Sequence, residues 1–178
     1  MSNQINYDKI ETIYDAQFIN RYHTVPLGGL RQTVGAHSYA VVVLLDQLWD
    51  NCSKSLLLSA LYHDVPEIVL GDIPATAKWE YPEVKKAFKK AEDKVAKDLG
   101  INFVLTERET NRLKMADMLE LVMYCHKLND SNPRMKLIMQ TGVNYLMDNY
   151  SSLSDFEPVR QVLRHLKLII LTLRCLHF

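Results

Sequence analysis

Apolar residues recur at helical spacing along almost the whole chain, and this pattern restricts the fold more than any other feature. Asp8–Ile19 carries Ile10, Ile13, Tyr14 and Phe18, close to an i, i+3, i+4, i+8 stripe. Gly35–Trp49 holds Ala36, Ala40, Val43, Leu44 and Leu48; its Val41-Val42-Val43 run suits a strand, but its length and its Ala, Leu and Gln neighbours favour a helix. Ser53–His63 reads as a second apolar helix with Ser53 as N-cap and Pro66 at or just past its end. Tyr81–Leu99 is charged and amphipathic, with Pro82 suited to a first turn and Gly100 to a C-terminal end. Thr106 and Glu109 form a capping-box signature that opens a helix to about Leu128. Pro133–Tyr150 and Glu157–His165 complete the set. Arg21–Val34, with Pro26, Gly28 and Gly29, reads as a loop, and Leu70–Pro74 as a turn. Only segments near Asn102–Leu105 and Ile169–Leu173 have strand character. The expectation is a single all-α domain over residues 1–178, a bundle of about seven or eight helices.

Length and charge narrow the classes of function. The chain has 178 residues, with 21 Lys+Arg balanced by 21 Asp+Glu. That length suits one domain and a sizeable core. A zero net charge argues against a broad nucleic-acid or membrane surface, both of which call for a basic excess. Cys52, Cys125 and Cys175 are scattered and form no CxxC pair, so the reading is a reducing, cytoplasmic compartment. The polar N-terminus gives no secretory signal. The apolar tail Leu166–Phe178 is too short and too interrupted to span a bilayer, and suits packing on the core or on a second subunit.

Four residues stand out chemically: His37, the adjacent His63-Asp64, and Asp117. Each falls in an expected helix or at its end. Asp117 lies mid-helix between Met115 and Leu119, where an unpaired carboxylate is costly to bury. Two imidazoles with two carboxylates form a mixed nitrogen and oxygen set suited to a divalent first-row ion. Taken one at a time, a His-Asp dipeptide and an isolated histidine are also ordinary incidental features.

The surrounding residues carry a more specific pattern. Arg21-Tyr22 precedes Thr33-Val34-Gly35-Ala36-His37-Ser38; then come Leu61-Tyr62-His63-Asp64-Val65-Pro66-Glu67, Gly71-Asp72-Ile73-Pro74 and Lys114-Met115-Ala116-Asp117. In this order they resemble the HD-domain phosphohydrolases, and within them the small 5′-deoxynucleotidase branch. The resemblance covers about residues 18–125 and implies an all-α enzyme with one principal divalent metal ion (Co, Mn, Zn or Mg). It implies His37, His63, Asp64 and Asp117 as ligands. It further implies Glu67, with Asp117, in catalysis, Glu67 handling the proton of the water or of the leaving group. Arg21, Lys78 and Lys114 would contact phosphate, and Asp72 a 2′-deoxyribose. Tyr22 would stack on the base or pack in the core. Glu120 reads as an ordinary helix-face residue, with a partner to the ligands as the alternative.

One departure bears on specificity. Here the run is Arg21-Tyr22-His23-Thr24-Val25-Pro26, where the best-known members have Arg-Trp followed by Pro. This run looks more like phage-type members, which include enzymes that remove the whole triphosphate from dATP. His23 would then touch phosphate or base, or serve no role. The expectation is a deoxynucleotide phosphohydrolase, favoured as a dATP-like triphosphohydrolase and alternatively a 5′-deoxynucleotidase acting on monophosphates. A non-catalytic nucleotide-binding helical module is the remaining reading. The implied partners are a small deoxynucleotide and further copies of the chain in a homo-oligomer, with no nucleic-acid polymer and no membrane.

Overall fold

A computed structural model describes residues 6–169 apart from 28, 30 and 131. Among these, α1 (Tyr7–Asp15), α2 (Val34–Leu48), α3 (Lys54–Tyr62), α6 (Pro82–Asp98), α7 (Glu107–Leu128), α8 (Pro133–Tyr150) and α9 (Glu157–His165) follow the expected helices closely. Two short helices, α4 (Glu67–Leu70) and α5 (Ala75–Glu80), flank the turn at residues 71–74. They escape a periodicity reading because four to six residues are too few to define a stripe. The described residues contain no strand, only an isolated bridge between Asn20 and Thr33. Residues 102–105 are irregular, and the possible strand near residue 169 lies mostly outside the described residues, as does most of the apolar tail.

Local chemistry sets the helix ends. Thr33, Ser53 and Asn132 each accept a backbone N–H from the first turn of α2, α3 and α8. At α7 the capping box is complete: Thr106 accepts from the Glu109 N–H, and Glu109 accepts from the Thr106 N–H at 2.9 Å. Gly100 closes α6 with φ +63°, a left-handed conformation that other residues adopt at a cost.

The core is a stack of α2, α3, α7, α8 and α9. Leu45, Leu56, Leu119, Met135, Leu146, Phe156 and Leu163 are fully buried in it. At the α7–α8 crossing the helices approach so closely that a Cβ on Gly142 would lie 2.8 Å from Val122 Cγ2. The helix α6 differs in kind: it buries no residue and packs on α4 and α5. No helix of the described residues is long and apolar enough to cross a membrane.

Candidate metal centre and substrate cavity

The donor cluster is assembled from three core helices. His37 lies one turn into α2, where its own N–H bonds the Thr33 carbonyl. His63 caps the C-terminal end of α3, and Asp64 begins the turn that follows. Asp117 faces them from the middle of α7. Ligand atoms of His37, His63 and Asp117 all lie within 4.8 Å of one another. Asp64 adjoins them, its oxygens 3.5 Å from His37 Nε2 and 3.3 Å from His63 Nε2.

The hydrogen bonds of the two imidazoles fix which nitrogen faces inward. His37 Nδ1 donates to Glu120 Oε2 at 2.6 Å, and His63 Nδ1 donates to the Ala60 carbonyl at 2.7 Å. A carboxylate and a carbonyl accept only, so in a neutral ring each Nε2 is a bare acceptor. The two Nε2 atoms are 3.2 Å apart and are flanked by two carboxylates. Such a convergence of acceptors is repulsive unless a proton or a metal cation joins it. The donor set therefore fits a divalent ion, with His37, His63, Asp64 and Asp117 to hold it.

The titration behaviour expresses the same field. Burial works against the charged form of His63, but Asp64 and Asp117 outweigh it and push its pKa up to about 9. Burial and Arg21 likewise oppose protonation of His37, while hydrogen bonds to Asp117 and Glu120 raise it. Burial alone would raise the Asp117 carboxyl, yet the two imidazoles hold it well below its usual range. Asp64 is lowered against its own desolvation by His63, His37 and Arg21.

Beside the cluster opens a cavity of about 490 Å³, to which Asp64 and Asp117 contribute walls. Its polar side includes Arg21, Glu67, Asp72 and Lys78; Tyr22, Trp79, Leu121, Ile138 and Tyr145 supply apolar surface. Glu67 is 6% exposed, and its Oε2 is buried without a hydrogen-bond partner. Desolvation first, then the charges of Asp64 and Asp72, push its pKa up to about 9. The same surroundings favour its protonated form on the cavity wall.

A strained turn shapes one part of the cavity wall. Tyr22 adopts φ +56°, unfavourable for an aromatic residue. Its N–H donates to Asp72 Oδ2 at 3.2 Å, its ring stacks on Tyr124 with centroids 5.1 Å apart, and its hydroxyl accepts from Cys125 Sγ. These contacts hold Arg21 and Tyr22 side by side on the cavity wall.

Of the residues read from the sequence, Arg21, Tyr22, Asp64, Glu67, Asp72, Lys78 and Asp117 line the cavity, and His37 and His63 complete the donor cluster behind it. Two expected contacts are placed off the cavity lining. Lys114 is exposed and is not among the described residues lining the cavity; one turn of helix separates it from Asp117 but does not turn its side chain inward. His23 is also exposed and off the cavity lining, with Nδ1 3.7 Å from Asp72 Oδ2, so it meets the acid rather than the cavity. Lys85 on α6 and Arg134 on α8 line the cavity and went unread, because nothing local distinguishes them from surface cations. Glu120, read first as an ordinary helix-face residue and alternatively as a partner to the ligands, takes the second place: it is 5% exposed and bonded to His37.

An all-α fold in which consecutive core helices present His, His-Asp and Asp to one point defines an HD-domain protein. The family model described as 5′-deoxynucleotidase YfbR-like matches residues 10–108, and the chain belongs to that family. Asp117 and Glu120 lie beyond that span, and the packing of α7 on α2 and α3 brings them to the site. A curated relative, a 5′-deoxynucleotidase of Photorhabdus laumondii, is 26% identical over 121 residues, 58% of this chain. The match spans 61% of that relative's length. Among solved structures, the HD phosphohydrolase DatZ of cyanophage S-2L, bound to dA and one catalytic Zn²⁺ ion, superposes with a TM-score of 0.67. The match covers 93% of this chain and 99% of that one at 22% identity, and so shows a shared fold.

Proposed function

We propose that this protein is a metal-dependent phosphohydrolase that cleaves the 5′-phosphate ester of 2′-deoxynucleotides. One observation carries the reading: two imidazole nitrogens and two carboxylates converge, with only acceptors facing inward, on the wall of a cavity that also presents a partly buried arginine. Family membership and the names of both relatives support it. A divalent ion held by His37, His63, Asp64 and Asp117 would supply Lewis acidity, polarising phosphoryl oxygens and acidifying water.

The chain's own groups do the rest. Arg21 is partly buried, its Nη1 has no hydrogen-bond partner, and its guanidinium on the cavity wall suits a phosphate oxygen. Lys78 adds a second cation from α5. Glu67 carries the proton that the departing 5′ oxygen needs. Asp72, held by the Tyr22 N–H, keeps an oxygen for a sugar hydroxyl. Tyr22, Trp79 and Tyr145 offer aromatic surface to a base.

We favour a nucleoside triphosphate as the substrate, cleaved at the α-phosphorus to deoxynucleoside and triphosphate. Lys85 and Arg134 support this form, since they extend the cationic lining beyond Arg21 and Lys78, and a monophosphate has less charge to engage them. The monophosphatase form is supported by the names of the family and of the curated relative. The purified protein, supplied in turn with Zn²⁺, Mn²⁺ and Co²⁺, should be incubated with dAMP and with dATP. Deoxyadenosine and triphosphate from dATP are expected, with loss of activity on adding a chelator. Orthophosphate from dAMP with dATP untouched would replace the favoured form by the monophosphatase, and no turnover of either would sink the hydrolase.

A further inference from the structure

We infer that Glu120 is a positioning residue that serves two groups of the site at once, orienting His37 for the metal and Arg21 for the phosphate. The inference rests on the function proposed above and extends it to a residue outside the expected ligand and substrate contacts. Its Oε2 accepts from His37 Nδ1 at 2.6 Å and lies 3.9 Å from Arg21 Nη1. Its Oε1 accepts from Gln32 Nε2 at 2.6 Å. Gln32 closes a circuit, because its carbonyl also accepts the Arg21 backbone N–H at 2.8 Å. Gln32, Glu120 and His37 are all buried, 6%, 5% and 0% exposed, so each contact forms away from water.

The geometry explains why a glutamate stands here. By accepting from Nδ1, the carboxylate leaves His37 Nε2 as the free ligand atom. The same oxygen places negative charge beside Arg21 without using up Nη1, which has no hydrogen-bond partner. Aspartate from the same turn of α7 is one methylene shorter and cannot span His37 and Gln32 together. Glutamine keeps the volume but replaces one acceptor by a donor. It can serve His37 if the Gln32 amide turns over, whereas its neutral amide offers Arg21 no counter-charge. The two functions can thus be separated.

The test compares wild type, Glu120→Ala and Glu120→Gln, each confirmed as folded by circular dichroism. Zn²⁺ affinity is measured without substrate by competition with a chelator, and KM and kcat for dATP are measured at saturating Zn²⁺. Glu120→Ala is expected to weaken Zn²⁺ binding about 10–100-fold, the scale for removing the partner of a ligating histidine. It should also raise KM at saturating metal. Glu120→Gln should recover most of the Zn²⁺ affinity while KM stays raised. Wild-type Zn²⁺ affinity and KM in a folded Glu120→Ala would overturn the inference, as would wild-type KM in Glu120→Gln, which carries the test if the alanine variant does not fold. A role confined to stability would move the melting temperature and leave both readouts in place. A wild-type protein that binds Zn²⁺ but turns over neither dATP nor dAMP would instead overturn the proposed function, leaving the metal-affinity comparison to stand for Glu120.

Discussion

Two walls of the cavity, which α8 and residues 21–25 also line, differ in construction. One wall is the donor cluster on α2, α3 and α7, helices that bury the core; α7 alone buries Met115, Ala116, Leu119, Glu120, Leu121, Val122 and Cys125. The other is the hairpin of α5 and α6, which supplies Lys78 and Lys85, and neither of its helices buries a residue. The difference follows the chemistry. Metal donors need fixed separations, which only packed helices provide. A flexible polyanion needs positive charge within reach, which long lysines on a thinly anchored hairpin supply. The two walls should therefore fail differently when mutated.

The largest effect is expected in the wall that carries the core. Leu119→Ala removes a fully buried side chain two residues from Asp117 and should cost about 2–5 kcal/mol in denaturant unfolding. An unchanged unfolding midpoint would show that α7 is not the shared support of core and site. His63→Ala should lower deoxynucleotide hydrolysis by about 10²–10³-fold, the scale for deleting one preorganised electrostatic contact. In chelated protein near pH 7 its melting temperature should fall, because His63, its pKa pushed up to about 9, carries a proton there and pairs with Asp64 and Asp117. An unchanged or raised value would mean that the two imidazoles face each other as unprotonated acceptors without a metal.

The hairpin should respond in the opposite sense. Lys85→Ala is expected to reduce kcat/KM for dATP by roughly 10-fold, the scale of one hydrogen bond to a charged group, with little change for dAMP. Its melting temperature should not move, since Lys85 is exposed. Equal losses on both substrates would remove the distinction between near and far phosphates.

A third region supplies a pH contrast remote from the cavity. Arg108 and Arg112 both clamp Asp155, with Arg108 Nε donating at 2.6 Å and Arg112 Nε at 3.0 Å. The Arg108 hydrogen bonds, followed by those of Arg112, hold the Asp155 carboxyl below its usual range and outweigh the desolvation that would raise it. A carboxyl lowered on folding stabilises the protein above its unfolded pKa of about 3.9, and that contribution fades as pH falls from there. Asp155→Asn should therefore lower the melting temperature at pH 7 by roughly 2–4 °C, the upper end for surface pairs in a chain of this size. The difference from wild type should shrink below about pH 4. A constant difference across pH would assign the effect to packing rather than charge. The smallest effect belongs to Lys94→Ala on α6, whose exposed pair with Asp98 is worth about 0.3–0.5 kcal/mol.

By itself the sequence determined the long helices and the order of the site motifs. Helical periodicity is a property of neighbours along the chain, and the caps at Ser53 and Thr106 act within three residues, so both are legible locally. His37, His63, Asp64, Glu67 and Asp117 were picked out by the resemblance of their motifs, since a His-Asp dipeptide or a lone acid is no signal by itself, and the fold places them together. Only the tertiary structure decided which cations face the cavity. Lys114 stands one turn from Asp117 yet points to solvent, while Lys85 and Arg134 come from helices with no motif at all. It likewise decided that Glu120 meets His37 across 83 residues of chain. A long side chain's direction depends on how helices pack, and packing depends on contacts that no local pattern encodes.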